Sequence, residues 1–197
     1  MIIITFIISA AVIIIDQVSK YYIKNNMDVG ESFNFIENIL NIYYIENPGA
    51  SFGMFANHRW IFMFFSTVAL VLMLGAIFYF NKKSLKKYNK LFSVALAMIF
   101  GGGAGNMIDR IFNYGMEGGR YEGINVVVDF LEFDFVDFAV FNLADTFITM
   151  GSALFCICVF SGKYKLNDKS KEEIYEMIYE DGCGGIVEEG KDGGTEN

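Results

Sequence analysis

FAVFNLADTFITMGSALFCICVFSG, residues 138–162, is an apolar run interrupted by one ionisable side chain, Asp145. It exceeds the roughly 20 helical residues needed to cross a bilayer. A charge held in hydrocarbon costs at least ~2.5–3.5 kcal/mol at mid-helix, so a carboxylate here points to function before structure. Three further runs precede it. Met1–Ile15 is uncharged and predicts a helix continuing through Ile23, while Trp60–Asn81 gives 22 uncharged residues and Leu91–Ile108 gives 18. The pattern predicts an all-α membrane protein with four transmembrane helices and a small extracytoplasmic β-rich loop region. The polar segments between the spans are about 24–59, 82–90 and 111–137.

Composition agrees. The chain is 54% hydrophobic and 19% charged, with a mean hydropathy of +0.38. A soluble domain is nearer ~25% charged. Nothing basic precedes the first run, and Asp16-Gln17-Val18-Ser19-Lys20 makes a poor cleavage region, so a retained helix is favoured over a signal peptide. A four-helix domain over 1–162 is expected to be followed by an acidic, flexible tail over 163–197. That tail carries ten acidic and five basic side chains, a net −5 of the chain's −8. A net charge of this sign argues against nucleic acid as a partner. The three cysteines suggest no disulfide framework. The one histidine, His58, gives little basis for a zinc site or a Ser-His-Asp triad. No metal or cofactor is expected.

Basic residues set the orientation. Lys82, Lys83, Lys86, Lys87 and Lys90 crowd the second loop, and Lys163, Lys165, Lys169 and Lys171 follow the last span. The positive-inside rule makes that loop and both termini cytoplasmic, with the first and third loops outside. Asp16 and Lys20 then approach the outer surface at the end of the first span. Asn106, Asp109 and Arg110 arrive there at the end of the third, and Asn142 and Asp145 at the start of the fourth.

Each constellation has a structural and a functional reading. Asp16 and Lys20, four apart, share a helix face and either neutralise each other or touch substrate. Ser19 and Lys20 are adjacent and do not face each other, which argues against a Ser/Lys hydrolase. Asn47-Pro48-Gly49 holds the only proline and fixes a turn, where Asn47 could offer an amide to a substrate backbone. Gly101 and Gly105 have the spacing that lets helices approach closely. Asn106 shares a face with Asp109 and Arg110, which are either an interfacial ion pair or part of a pocket. Val126-Val127-Val128-Asp129-Phe130 is β-branched and predicts an extended segment. The spacing of Asn142 and Asp145 predicts that both lie on one face inside the fourth span.

Without metal, histidine or an activated serine, peptide hydrolysis falls to paired carboxylates that share a proton and divide the roles of acid and base. Asp145 is one member. Residue chemistry leaves its partner open among Asp109, Asp129, Asp134 and Asp137. A proton-coupled carrier using Asp16, Asp109 and Asp145 is the alternative, and a membrane scaffold the third. A relay should spread ionisable groups through the bilayer, whereas these gather at one side.

The motifs Asp16-Gln17-x-x-Lys20, Asn47-x-Gly49-Ala50-x-Phe52-Gly53, Gly102-Gly103-Ala104-Gly105-Asn106-x-x-Asp109-Arg110, Val127-Val128-Asp129-Phe130 and Phe141-Asn142-x-Ala144-Asp145 together resemble signal peptidase II, the lipoprotein signal peptidase family. The resemblance covers about residues 1–162. It implies an aspartyl endopeptidase of the bacterial cytoplasmic membrane that removes signal peptides from diacylglyceryl-modified prolipoproteins, cutting before the lipidated cysteine. It implies that Asp129 and Asp145 are the catalytic pair. Asp16, Lys20, Asn47, Gly49, Asn106, Asp109, Arg110 and Asn142 become substrate-binding or supporting residues. Prolipoproteins, membrane lipids and globomycin-type inhibitors are the implied partners. Two departures stand out: Ser51 occupies a position where the family often has alanine, and the acidic tail runs past the family's usual end.

Overall fold

The computed structural model describes residues 2–49, 59–80 and 90–160. The Ala50–His58 part of the first loop, the lysine-rich 81–89 segment and the 161–197 tail lie outside the described residues. Among the described residues four helices, α1 (Ile2–Asn26), α2 (Arg59–Phe80), α3 (Lys90–Phe112) and α4 (Leu143–Phe160), accompany three strands, β1 (Ser32–Ile36), β2 (Leu40–Asn47) and β3 (Val127–Phe133). Helices α1, α3 and α4 are long and apolar enough to cross a membrane, and α2 adds a shorter apolar stretch over Met63–Tyr79. The outward sides of these helices carry exposed large apolar groups such as Ile7, Ile14, Leu72 and Ile157, as a lipid-facing surface requires.

The strands form one antiparallel sheet in the order β1-β2-β3. The sequence predicts a small β-rich loop region with one extended segment at 126–130 beside otherwise all-α structure; the sheet adds two further strands from the first loop. The first loop supplies a hairpin whose turn includes Asn38 at φ 58°, a left-handed conformation that asparagine tolerates. Residues Ile42, Tyr44 and Glu46 alternate as the buried positions of β2. That period of two is the sign of a half-buried strand. Pairing of Glu46 with Val128 and Asn47 with Val127 joins segments separated by α2 and α3.

Apolar packing sits at both ends of the helices. Ile23, Met27, Ile42, Tyr44, Val128 and Phe130 form a core where α1 meets the sheet. Ile77, Phe92, Leu96 and Cys158 form another at the opposite end. Between them the helix contacts depend on glycine. A Cβ at Gly102 would lie 2.4 Å from the Ala144 carbonyl oxygen, and one at Gly105 would lie 2.5 Å from Asp16 Oδ2. Within lipid, such close approach of backbones is what holds helices together.

Helix α4 starts at Leu143, later than the apolar run that begins at Phe138. Phe141 pairs instead with Leu131 of β3. Asn142 is therefore the cap of α4 and does not share a helical face with Asp145. Its Oδ1 accepts from the Asp145 N–H at 3.0 Å, while Asp145 Oδ2 accepts from the Asn142 N–H at 3.3 Å. This is a reciprocal capping box, which satisfies two backbone donors that helix geometry leaves open.

Candidate active site

Four elements bring polar side chains to one cavity of about 810 Å³. Strand β3 supplies Asp129, the end of β2 supplies Asn47 with Gly49 just beyond it, α3 supplies Asn106 and Arg110, and the first turn of α4 supplies Asp145. The remainder of the wall is largely apolar, with Leu70 and Met73 of α2, Ile99 of α3 and Ile148 of α4 among its residues.

Asp129 is 3% exposed, and amides hold both of its oxygens. Asn142 Nδ2 donates to Oδ1 at 2.7 Å and Asn47 Nδ2 donates to Oδ2 at 2.9 Å. The Asn47 amide is itself fixed, because its Oδ1 accepts from the Gly49 N–H at 3.0 Å. Burial pushes the Asp129 carboxyl up to about 7, with the nearby Asp145 carboxylate adding to the rise and the amides of Asn47 and Asn142 opposing it. Asp145 is half-buried, and its Oδ1 accepts from Asn106 Nδ2 at 2.7 Å. Arg110 brings a cation within electrostatic reach of Asp129 and Asp145, and its Nη1 donates to the Asn106 carbonyl oxygen at 3.1 Å.

Behind the cavity lies a buried ionic cluster. Lys20 Nζ reaches Asp16 Oδ2 at 2.8 Å, Asp109 Oδ2 at 3.0 Å and Asn106 Oδ1 at 2.9 Å. Its three N–H donors thus have three acceptors. Gln17 Nε2 adds contacts to Asp109 Oδ1 at 2.9 Å and Asp16 Oδ2 at 3.2 Å. The second Asp16 oxygen accepts from the Ala144 N–H at 2.9 Å, in the first turn of α4. Asn106 links cluster and cavity: its oxygen faces Lys20 and Asn142, and its amide nitrogen faces Asp145.

The ten residues singled out in the sequence divide accordingly. Asn47, Gly49, Asn106, Arg110, Asp129 and Asp145 line the cavity. Asn142 is fully buried between Asp129 and Asn106. Asp16, Lys20 and Asp109 are buried and lie outside the cavity wall. Of the carboxylates left open as partners of Asp145, Asp109 is engaged by Lys20. Asp134 and Asp137 are exposed and border a separate, smaller hollow. Sequence reasoning gave no role to Gln17 or Glu46. The first could have been read from its place one residue after Asp16, and the second from the alternation of β2.

The chain is also similar to known proteins. The sequence profile of the family described as signal peptidase (SPase) II matches residues 8–161. A lipoprotein signal peptidase of Brevibacillus brevis is 34% identical over 155 residues, covering 79% of this chain and 93% of the relative. One from Streptococcus pyogenes is 35% identical over 157 residues, covering 78% and 91%. Among solved structures, a bacterial membrane enzyme determined by the in meso method at 2.3 Å resolution superposes with a TM-score of 0.63 at 33% identity, covering 80% of this chain and 87% of that one. A second, at 1.9 Å resolution, gives 0.64 at 32% identity, covering 79% and 91%.

Proposed function

The chain belongs to the signal peptidase II family of membrane peptidases, and from that premise we propose that it removes signal peptides from diacylglyceryl-modified prolipoproteins through an aspartyl pair, Asp129 and Asp145, cutting just before the lipidated cysteine. One observation carries the proposal: two carboxylates from different elements line a single cavity, each held by asparagine amides. A pair in which burial raises one member toward neutrality has an acid and a base available together.

The chemistry follows from that division. Asp129 holds the shared proton and Asp145 accepts a proton from water as the water oxygen attacks the scissile carbonyl carbon. Asp129 gives its proton to the carbonyl oxygen, forming a neutral gem-diol. Collapse breaks the C–N bond, returns the diol proton to Asp129 and passes the proton on Asp145 to the departing amine. Asn47, Asn106 and Asn142 keep both carboxylates oriented, so no reorganisation is needed during the reaction. Arg110 offers a donor to the substrate backbone. Lys20, between Asp16 and Asp109, polarises Asn106 from behind and supports Asp145 without touching substrate.

The apolar wall formed by α2, α3 and α4 suits acyl chains and apolar signal-peptide side chains. In this reading α2 is a fourth crossing, and the sheet lies on the extracytoplasmic side with both termini in the cytoplasm. The lysine-rich sequence segments support that orientation. Globomycin-type inhibitors would compete for the same cavity.

The test is cleavage of a diacylglyceryl-modified prolipoprotein by the purified full chain in lipid, with Asp129→Asn and Asp145→Asn checked for intact folding. Wild-type cleavage that is lost in both variants is the expected result. Survival in either variant moves the pair to another carboxylate, and no cleavage by folded wild type sinks the peptidase reading.

A further inference from the structure

Glu46 stands next to Asn47 on β2 and faces the other way. Its side chain is 6% exposed and lies outside the cavity wall. Successive residues of a strand point to opposite faces, so Asn47 reaches Asp129 while Glu46 reaches the segment that leaves α3 and returns as β3. There Glu46 Oε1 accepts from the Met116 N–H at 2.7 Å and from the Tyr44 hydroxyl at 3.4 Å. A Cβ at Gly115 would lie 2.3 Å from the Tyr121 carbonyl oxygen and 3.0 Å from Glu46 Oε2, so a glycine lets the segment fold on itself beside the carboxylate. Burial and the Glu46 carboxylate together raise the Tyr44 hydroxyl above its ordinary range, keeping it a donor.

Among the described residues no lysine or arginine pairs with this buried carboxylate. Burying it is costly, and its bonds go to one hydroxyl and one loop N–H. The 113–126 segment is tied at its start as well, by Lys24 Nζ donating to the Asn113 side chain and the Tyr114 carbonyl oxygen. Asn113 then accepts from the Val126 N–H at 2.9 Å, one residue before β3. Glu46 thus fastens the back of β2, and Asn47 ends that strand against Asp129.

We propose that Glu46 is a positioning residue: by anchoring Met116 to β2 it fixes the placement of Asn47, and through Asn47 the orientation of Asp129. This rests on the reading of Asp129 as catalytic. Small displacements of a held reactive group cost rate more than substrate affinity.

The test is steady-state cleavage of a diacylglyceryl-modified prolipoprotein by full-length wild type, Glu46→Ala, Glu46→Gln and Met116→Pro, each with its melting temperature in detergent. Proline removes the N–H that Glu46 holds, and the preceding Gly115 tolerates a proline after it better than other residues would. The expected result is a fall in kcat of about tenfold or more for Glu46→Ala with KM within about twofold. Glu46→Gln, which keeps the acceptor, should stay within about threefold of wild type, and Met116→Pro should match Glu46→Ala with no further loss when the two are combined. If Glu46→Ala fails to fold, the Met116→Pro and Glu46→Gln pair carries the same comparison. A folded Glu46→Ala or Met116→Pro with wild-type kcat overturns the positioning role while leaving the peptidase intact. A Gln variant as damaged as the Ala variant also overturns it. Failure of folded wild type to cleave overturns both readings.

Discussion

Asp16 on α1 accepts a hydrogen bond from the backbone N–H of Ala144 on α4 at 2.9 Å, across 128 residues of sequence. A carboxylate at a helix N-terminus satisfies an open donor and meets the positive end of the helix dipole. The same helix turn presents Asp145 to the cavity. Helix α1 therefore helps to place the start of α4.

Lys20→Met should be severely destabilising, because it leaves Asp16 and Asp109 buried without their cation. Breaking a buried pair from one side costs about 3–5 kcal/mol. Thermal unfolding in a mild detergent, followed by circular dichroism, checks this. A loss below about 1 kcal/mol, within the usual range of an exposed pair, would show that the cluster is solvated.

Asn142 holds two functions that substitution can separate. Asn142→Ser keeps an oxygen to cap α4 and loses the donor to Asp129. Its stability should exceed that of Asn142→Ala by about 1 kcal/mol, the usual worth of an N-cap. Both variants should lose at least about tenfold in kcat/KM, or about 1.4 kcal/mol of transition-state stabilisation. Equal stability of the two would mean that the hydroxyl does not reach the helix terminus.

The proton on Asp129 gives a pH signature. Its carboxyl is raised from 3.8 to about 7. The proposed acid is present below about 7 and is lost as pH rises, so kcat should fall above that value by up to about tenfold per unit. Stability follows the same sign. Between the unfolded value of 3.8 and the folded value of about 7 the native state binds the extra proton. This contribution is fully present below the unfolded value, declines through that window and is gone above about 7. Asp129→Asn should flatten that stability decline, which pH-dependent melting of both proteins would read out.

Gly102 and Gly103 are neighbours with different expected tolerance. A Cβ on Gly102 meets the Ala144 carbonyl oxygen at 2.4 Å, whereas one on Gly103 meets the end of the Leu70 side chain at 3.1 Å. Backbone cannot move aside as a leucine methyl can. Gly102→Ala should cost about 1–3 kcal/mol and reduce cleavage, since it pushes on the turn that carries Asp145. Gly103→Ala should stay within about 1 kcal/mol of wild type. Equivalent melting temperatures for the two would remove the α3–α4 contact as a constraint.

The helices were readable because long uncharged runs have few structural alternatives. Asp145 was readable because a carboxylate inside such a run demands a reason. The hairpin of β1 and β2 was less visible: its strands are short, and their polar residues blend with the rest of a polar loop. The alternation of Ile42, Tyr44 and Glu46 carried the information, with the third position occupied by a charge that reads as exposed. The apolar character of 138–141 concealed the true start of α4, because Phe141 pairs with Leu131 of β3 instead of entering the helix. Residue chemistry alone left several partners for Asp145, and family resemblance singled out Asp129. In the fold, Asp129 is the one of those partners that lines the cavity.

The sheet that carries Asp129 joins β2 to β3 across everything that lies between them in sequence, including α2 and α3. Its facing carboxylate, Asp145, arrives only with α4, the last described helix. Asn47 on β2 precedes α2 and α3, whereas Asp129 on β3 follows them, so the amide that holds Asp129 reaches it only once both intervening helices have been made. A nascent chain that stops short of β3 therefore carries Asn47 with no carboxylate to hold, and the order of synthesis becomes an order of assembly for this part of the cavity.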